Sequence, residues 1–292
     1  MTFPDPMPIR NAAISAAGPV FVFVFLTLLF IQWKWPLRRQ HFSRLRRILR
    51  NIAVAAPSVL ASRLSLVPIP FVVSLWCSRH HFGLFHLLQL PTVIALPAGI
   101  LLYDYAYYWW HKTMHLVPVC WRFHNVHHTD LDMDVSTASR FHFGEVLLSI
   151  FFRVAVVGLF GFGIWTLALY ELLFSVANQF QHSNWRLPLA LERILNRLIV
   201  TPRMHGAHHS IVQRETNSNW GTVFSGWDRL HGTLRIDVPQ DAITIGVANY
   251  RDETELTFGK LFLLPFLKPR AWQLPDGTVP EREPKPVEEL AP

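Results

Sequence analysis

Charge is scarce in this chain. Only 16% of its 292 residues are Asp, Glu, Lys or Arg, against 51% apolar ones, which excludes an ordinary soluble domain and points to a multispanning membrane protein. Cysteine is nearly absent. Cys77 and Cys120 are too few for a disulfide framework or a Cys-based zinc motif, and Cys77, in an apolar stretch, reads as a small core residue. Acidic residues are missing between Trp33 and Arg50, where Lys34, Arg38, Arg39, Arg44, Arg46, Arg47 and Arg50 accumulate. That basic run follows an apolar span directly, so it reads as a cytosolic juxtamembrane loop and not as a nucleic-acid site. No solenoid or propeller repeat is present, and the N-terminus lacks the basic start and cleavage site of a signal peptide.

The apolar runs set the expected architecture. After a Pro-containing lead over residues 1–16, Ala16 to Ile31 reads as a first span closed by Trp33 and Trp35 as interfacial aromatics. Ile52 to Trp76 is a second, weaker span, interrupted by Pro57, Arg63, Pro68 and Pro70. A third begins at Gly83 to Tyr103 and runs on as YDYAYYWWHKTMH. Val146 to Phe180 holds 35 residues, more than the ~20 one helix needs, with GLFGFG near its middle; this predicts a helical hairpin. NSNWGTVFSGWDRLHGTLR reads as loop and short turns, Leu261 to Pro269 as an interfacial segment, and the Pro- and Glu-rich tail from Leu274 as disordered. The expectation is an all-α integral membrane protein of about four passes with a cytosolic helical cap. Residues 1–95 would hold the N-terminal helices and basic loop, 96–235 the catalytic region, and 236–292 the C-terminal segment.

Histidine supplies the chemistry. Nine of the fifteen histidines fall into HKTMH (His111, His115), HNVHH (His124, His127, His128), QHSN (His182) and HGAHH (His205, His208, His209). On a helix, positions i, i+3 and i+4 share a face, and imidazole is the commonest metal-ligating side chain. Nine such ligands are too many for one ion and suit two, with adjacent pairs such as His127 and His128 splayed enough to serve different ions. Topology agrees: with the basic loop cytosolic, the second span leaves, the third returns, and the hairpin goes in and back. All nine histidines then meet on the cytosolic side.

Ligand type alone does not choose among Zn, Fe, Cu and Ni. A zinc protease would carry HExxH, whereas Lys112 stands in the glutamate's place; a membrane zinc hydrolase remains the alternative reading. A metal transporter is disfavoured because the boxes fall outside the apolar spans and not at mid-membrane. Two iron ions on neutral imidazoles would activate O2 for attack on an unactivated C–H bond, which suits a site facing lipid chains.

DYAYYWWHKTMH, HNVHH, RFHFGE, QHSN, HGAHH and NWG…WDRLHGT together resemble the fatty acid hydroxylase / sterol desaturase superfamily of integral membrane di-iron oxidases, over roughly Leu96 to Leu234. The resemblance implies iron ligation by His111, His115, His124, His127, His128, His182, His205, His208 and His209, with zinc as a possible substitute. It implies O2 and a separate electron donor of ferredoxin, cytochrome b5 or reductase type. The substrate would be a sterol, fatty acyl, sphingolipid or ether lipid, hydroxylated or desaturated with water as co-product. Phe143, Trp220 and His231 depart from residues common in the family, and none of these departures removes a ligand. The compact chain, with no retrieval tail, favours a bacterial inner membrane.

Further polar residues are candidates for support. Asp104 stands two helical turns before His111 and is expected either to accept a ring N–H from a ligand or to pair with Arg or Lys at the helix end. Glu171, Ser175, Asn178 and His182 form a stripe at 4-3-4 spacing that must turn inward in lipid. His142 is read as a tenth ligand or, preferentially, as part of an Arg140–Glu145 network. His41, His80, His81 and His86 read as interfacial and His231 as structural. The cluster Tyr103, Tyr105, Tyr107, Tyr108, Trp109 and Trp110 reads as an aromatic belt.

Overall fold

The computed structural model describes residues 6–61 and 68–282, and within them the chain is helical with no β-strand, only isolated bridges such as Pro36 with Trp185. Helix α1 (Pro6–Lys34) covers the first expected span. The second expected span divides into α2 (Arg44–Ala61) and α3 (Pro68–His80). Proline has no N–H to donate and fits the first turn of a helix, so Pro68 starts a new helix here. Residues 62–67, Arg63 among them, lie outside the described residues.

Polarity in α2 is inverted relative to a soluble helix. Arg47 and Asn51 are fully buried, while Leu45, Leu49 and Ile52 are at least half exposed. Exposed Phe23, Phe30, Val93, Phe151 and Leu159 extend the same apolar exterior over α1, α5 (Thr92–Leu116) and α7 (Phe143–Phe160). Between α3 and α5 the chain passes through the short α4 (Leu84–Leu87), and the axis bends by 82° from Ile69–Leu87 to Thr92–Leu116. The apolar run of the third expected span is thus interrupted by this bend, although α5 continues to Leu116 and carries HKTMH on its last turns.

Helix α6 (Pro118–His128) follows after one extended residue, with Pro118 at its start. A 3-10 turn over Val135–Ser139, closed by an Asp134–Thr137 capping box, leads into α7. The predicted hairpin is present as α7 and α8 (Ile164–His182). Gly161 ends α7 in the left-handed region at φ 68°, where glycine has no Cβ penalty. Gly83 (φ 100°) packs against it, and a Cβ on Gly83 would sit 2.4 Å from the Gly161 nitrogen. Among the described residues α7 alone is long and apolar enough to cross a membrane, and the bent pair Ile69–Leu87 with Thr92–Leu116 meets that standard jointly.

Short helices complete the chain: α9 (Leu189–Leu195), α10 (Pro202–His208), α11 (Gln213–Thr216), α12 (Gly226–Leu230) and α13 (Phe258–Leu263). One core, with Tyr103, Tyr107, Phe162, Leu167 and Tyr170, sits between α5, α7 and α8; a second, with Val126, Leu131, Val247, Leu256 and Leu261, lies beneath the C-terminal segment. The expectation of a disordered tail fails for its described part. Arg282 donates from Nε to Glu215 at 2.6 Å, a buried carboxylate, so residues 274–282 are tied down. Residues 283–292 lie outside the described residues.

Candidate metal centre

Four elements deliver the nine histidines to one place. His111 and His115 stand one turn apart near the end of α5, and His124, His127 and His128 close α6. His182 ends α8, and α10 contributes His205 and His208 with His209 as its C-cap. The rings sort into two adjoining sets, His111, His115, His124, His128 and His208, and then His127, His182, His205 and His209. Within each set, one nitrogen per residue lies within 4.8 Å of the others. The adjacent pairs His127/His128 and His208/His209 divide between the sets. That follows from helix geometry, since neighbouring side chains diverge by about 100° around the axis.

The nitrogen on the outer side of several rings is fixed. Nδ1–H of His111 donates to the Trp220 carbonyl (3.1 Å), that of His182 to Asn178 O (2.7 Å) and that of His208 to Ser218 O (2.8 Å). His124 donates from Nδ1 to the Glu145 carboxylate at 2.7 Å. A carbonyl or carboxylate can only accept, so each of these rings turns Nε2 inward as a lone pair.

The inner nitrogens fit a cation and little else. Nε2 of His182 lies 3.0 Å from Nε2 of His127 and 2.9 Å from Nε2 of His205, three like atoms on one point. Ten buried ring nitrogens of His115, His124, His127, His128, His205, His208 and His209 have no hydrogen-bond partner. Burial of that kind without partners is costly, and metal ions relieve it. Burial also pushes the ring pKa of His127, His128, His205 and His209 well below the ordinary value, and that of His208 down to about 3. The rings are therefore neutral and ready to ligate.

A cavity of about 210 Å³ adjoins both sets, bordered by His111, His124, His127, His182 and His205. Its remaining wall joins an aromatic and apolar part (Tyr107, Trp110, Met114, Phe141, Val146, Phe174) to polar side chains (Glu145, Ser149, Arg153, Glu171, Asn178, Gln181, Thr222). Two members of the predicted inward stripe, Glu171 and Asn178, thus face this cavity together with His182. Asn178 also donates to Ala138 O at 2.9 Å.

Other expectations need correction. Asp104 touches no histidine and no cation. It accepts from the Tyr170 and Thr222 hydroxyls, the Val223 and Phe224 amides and the Trp227 indole, and so fastens the loop after Trp220 onto α5. His142 is no tenth ligand: its Nδ1 accepts from the Gly144 amide as the α7 N-cap, and Nε2 donates to Phe262 O. Arg140 and Glu145 do not form a network, because Glu145 is engaged by His124 and Arg140 binds Val126 O, Asn51 and Thr129. His231, by contrast, is structural as expected, hydrogen-bonded to Tyr105 and stacked on Tyr108.

The support behind the second box went unread in the sequence. Arg47, within the run that reads in the sequence as a cytosolic juxtamembrane loop, is fully buried and bridges Asp130 (2.8 Å) and Asp134 (2.7 Å) directly after HNVHH. Asn51 joins Asp130 to Arg140, whose Nε binds Val126 O between the box histidines. Three acids in HHTDLDMD abutting a ligand box, in a chain this poor in charge, were the available signal.

Residues 96–233, which include all nine histidines, match the model of the fatty acid hydroxylase family. It is 28% identical to the ornithine lipid hydroxylase of Rhizobium tropici over 54% of this chain and 47% of that protein. It is 27% identical to the alkylglycerol monooxygenase of Danio rerio over 65% of this chain and 42% of the relative. With the cholesterol 25-hydroxylase-like protein of Danio rerio it shares 30% identity over 51% and 58%. The chain spans about half the length of these curated relatives. No solved structure matches it.

Proposed function

We propose that the chain is a membrane-bound, O2-dependent lipid hydroxylase of the monooxygenase type, with desaturation as the alternative outcome at the same site. One observation carries the reading: two sets of inward-facing, neutral imidazoles share a wall with a cavity lined by aromatic and aliphatic side chains. Two iron ions held by the nine histidines would supply O2 activation, with electrons from a separate donor protein. Tyr107, Trp110, Phe141 and Phe174 would orient an alkyl chain and keep water from it. Glu145, Asn178 O, Ser218 O and Trp220 O hold the rings of His124, His182, His208 and His111 each in one tautomer.

Residence in a lipid bilayer is supported by the inverted polarity of the helices, with Arg47 inside and large apolar side chains outside. We place the histidines at the cytosolic face of a bacterial inner membrane, reached by about four passes including the α7–α8 hairpin. The substrate would be a membrane lipid, as the names of the relatives are for those proteins.

The test is metal analysis of protein purified without added metal, joined to oxygen-isotope labelling of lipids from cells expressing it. Two iron ions per chain and a labelled lipid hydroxyl are expected. One zinc ion per chain with no labelled product would overturn the reading in favour of a zinc hydrolase.

A further inference from the structure

Arg153 stands at the centre of α7, the most apolar helix, and Glu171 at the centre of α8. Charged residues inside a membrane helix are costly, and they persist where they bind something. Arg153 donates from Nη2 to Glu171 Oε1 and from Nε to the Tyr103 hydroxyl (3.4 Å). Among the described residues Nη1 of Arg153 and Oε2 of Glu171 take no partner, and both side chains line the cavity that reaches the histidines. A link between two helices alone would be made more cheaply by apolar packing.

Spacing places the pair at the far end of that cavity. Glu145, Ser149 and Arg153 follow at i, i+4 and i+8 along one face of α7, all lining the cavity, and Glu145 holds His124. Eight residues of helix rise ~12 Å. From Glu171 to His182 along α8 the rise is ~16 Å. Between the two ends Trp110, Val146 and Phe174 form the apolar wall, interrupted by Ser149 and Asn178.

We infer that the Arg153–Glu171 pair binds the polar group of the lipid substrate and thereby selects which carbon meets the metal site. The carboxylate oxygen accepts an O–H or N–H, and the guanidinium donates to the oxygen of the same group. A hydroxyl or an amide satisfies both; a bare hydrocarbon satisfies neither. With C–C bonds of ~1.5 Å in zigzag, the ~12–16 Å between the two ends corresponds to about nine to thirteen bonds between the anchored group and the oxidised carbon. The substrate class is therefore a lipid carrying a hydroxyl or amide at that remove. The inference rests on the proposed lipid-oxidation reading, but its test does not use turnover.

The full chain in phosphatidylcholine nanodiscs is titrated with 9,10-dibromooctadecan-1-ol and with 9,10-dibromooctadecane, which differ only in the hydroxyl. Bromine near Trp110 quenches its fluorescence, and Trp110→Phe identifies that component. The expected result is binding of the alcohol about tenfold tighter than the alkane, as loss of a charged hydrogen bond implies. In the double variant Arg153→Met/Glu171→Leu, which leaves no unpaired charge, the two probes should bind within about twofold. Equal binding of both probes to the unaltered protein overturns the inference without needing any variant. So does a folded double variant that keeps the alcohol preference. Absence of iron or of oxidised lipid would sink the oxidase reading while leaving the alcohol preference in place.

Discussion

Replacing Glu145 first by glutamine and then by leucine separates charge from hydrogen bonding at the metal site. In the native side chain Oε1 accepts from His124 Nδ1 at 2.7 Å, while Oε2 is buried without a partner. A hydrogen bond to a charged group contributes ~1.5–3 kcal/mol and one between neutral groups ~0.5–1.5. Glu145→Gln still offers an oxygen to His124, so it should forfeit about 1 kcal/mol, or about fivefold in metal affinity. Glu145→Leu removes the acceptor and should cost 10- to 100-fold, the usual penalty for losing the partner of a ligand histidine. The metal-free protein should respond differently. A buried carboxylate with one bond and one orphaned oxygen carries an unfavourable desolvation term, so Glu145→Gln should leave the apo Tm unchanged or raise it. Competition with a chromophoric chelator reads the affinity, and scanning calorimetry of the apo protein reads the stability. If Glu145→Leu holds metal within about twofold of the unaltered chain, or if the glutamine variant binds more weakly than the leucine one, the carboxylate does not act through His124.

Three further substitutions probe the scaffold and the ligands. Arg47→Met leaves Asp130 and Asp134 buried and unpaired, and should cost ~3–5 kcal/mol; a thermal midpoint in detergent unchanged from the unaltered chain would remove the network from the account. Gly83→Ala forces a side chain into the left-handed region against the Gly161 backbone, and a loss of more than ~1 kcal/mol is expected on thermal scanning, with no loss contradicting the close approach. His127→Ala and His208→Ala each remove one ligand from a different set, so each should abolish lipid oxidation while far-UV circular dichroism stays native; retained turnover in either would break the two-set arrangement.

How much the sequence disclosed follows from the range of each interaction. The histidine boxes are local patterns, i to i+4, so their faces and their division at His127/His128 could be read directly. The hairpin was likewise written locally, in an apolar run too long for one helix with glycines at its middle. Arg47 with Asp130, and Asp104 with the Thr222–Trp227 loop, join residues 83 and more than 115 positions apart, and no local rule couples them. Polarity misled at the basic run for a physical reason. Composition reads Arg38 and Arg47 as solvated charge, whereas an interior built around polar loops buries arginine where carboxylates or carbonyls can receive it. The proline-broken stretch from Ile52 to Trp76, expected as one weak span, is shared between α2 and α3, because mean apolarity does not show where Pro68 begins a helix of its own.

The same accounting predicts what removing metal should do to stability. Buried imidazoles normally find a partner for each nitrogen, yet ten ring nitrogens here have none, and three Nε2 atoms converge on one point. Such a core is held against its own preference by the surrounding helices, so the folded apo protein should be strained at this centre and relieved by any ion that imidazole accepts. Binding to the folded state alone adds about 2.7 kcal/mol at a hundredfold excess over Kd. For a chain of this size each kcal/mol moves Tm by ~2–4 °C, which sets the expected rise on loading at about 5–10 °C. Iron and zinc should both produce it, because stabilisation depends on filling the ligand sets, whereas only iron should sustain oxidation. A chelated protein whose Tm is indifferent to either ion would mean that the rings are satisfied as they stand. The two histidine sets would then be packing and not a metal centre.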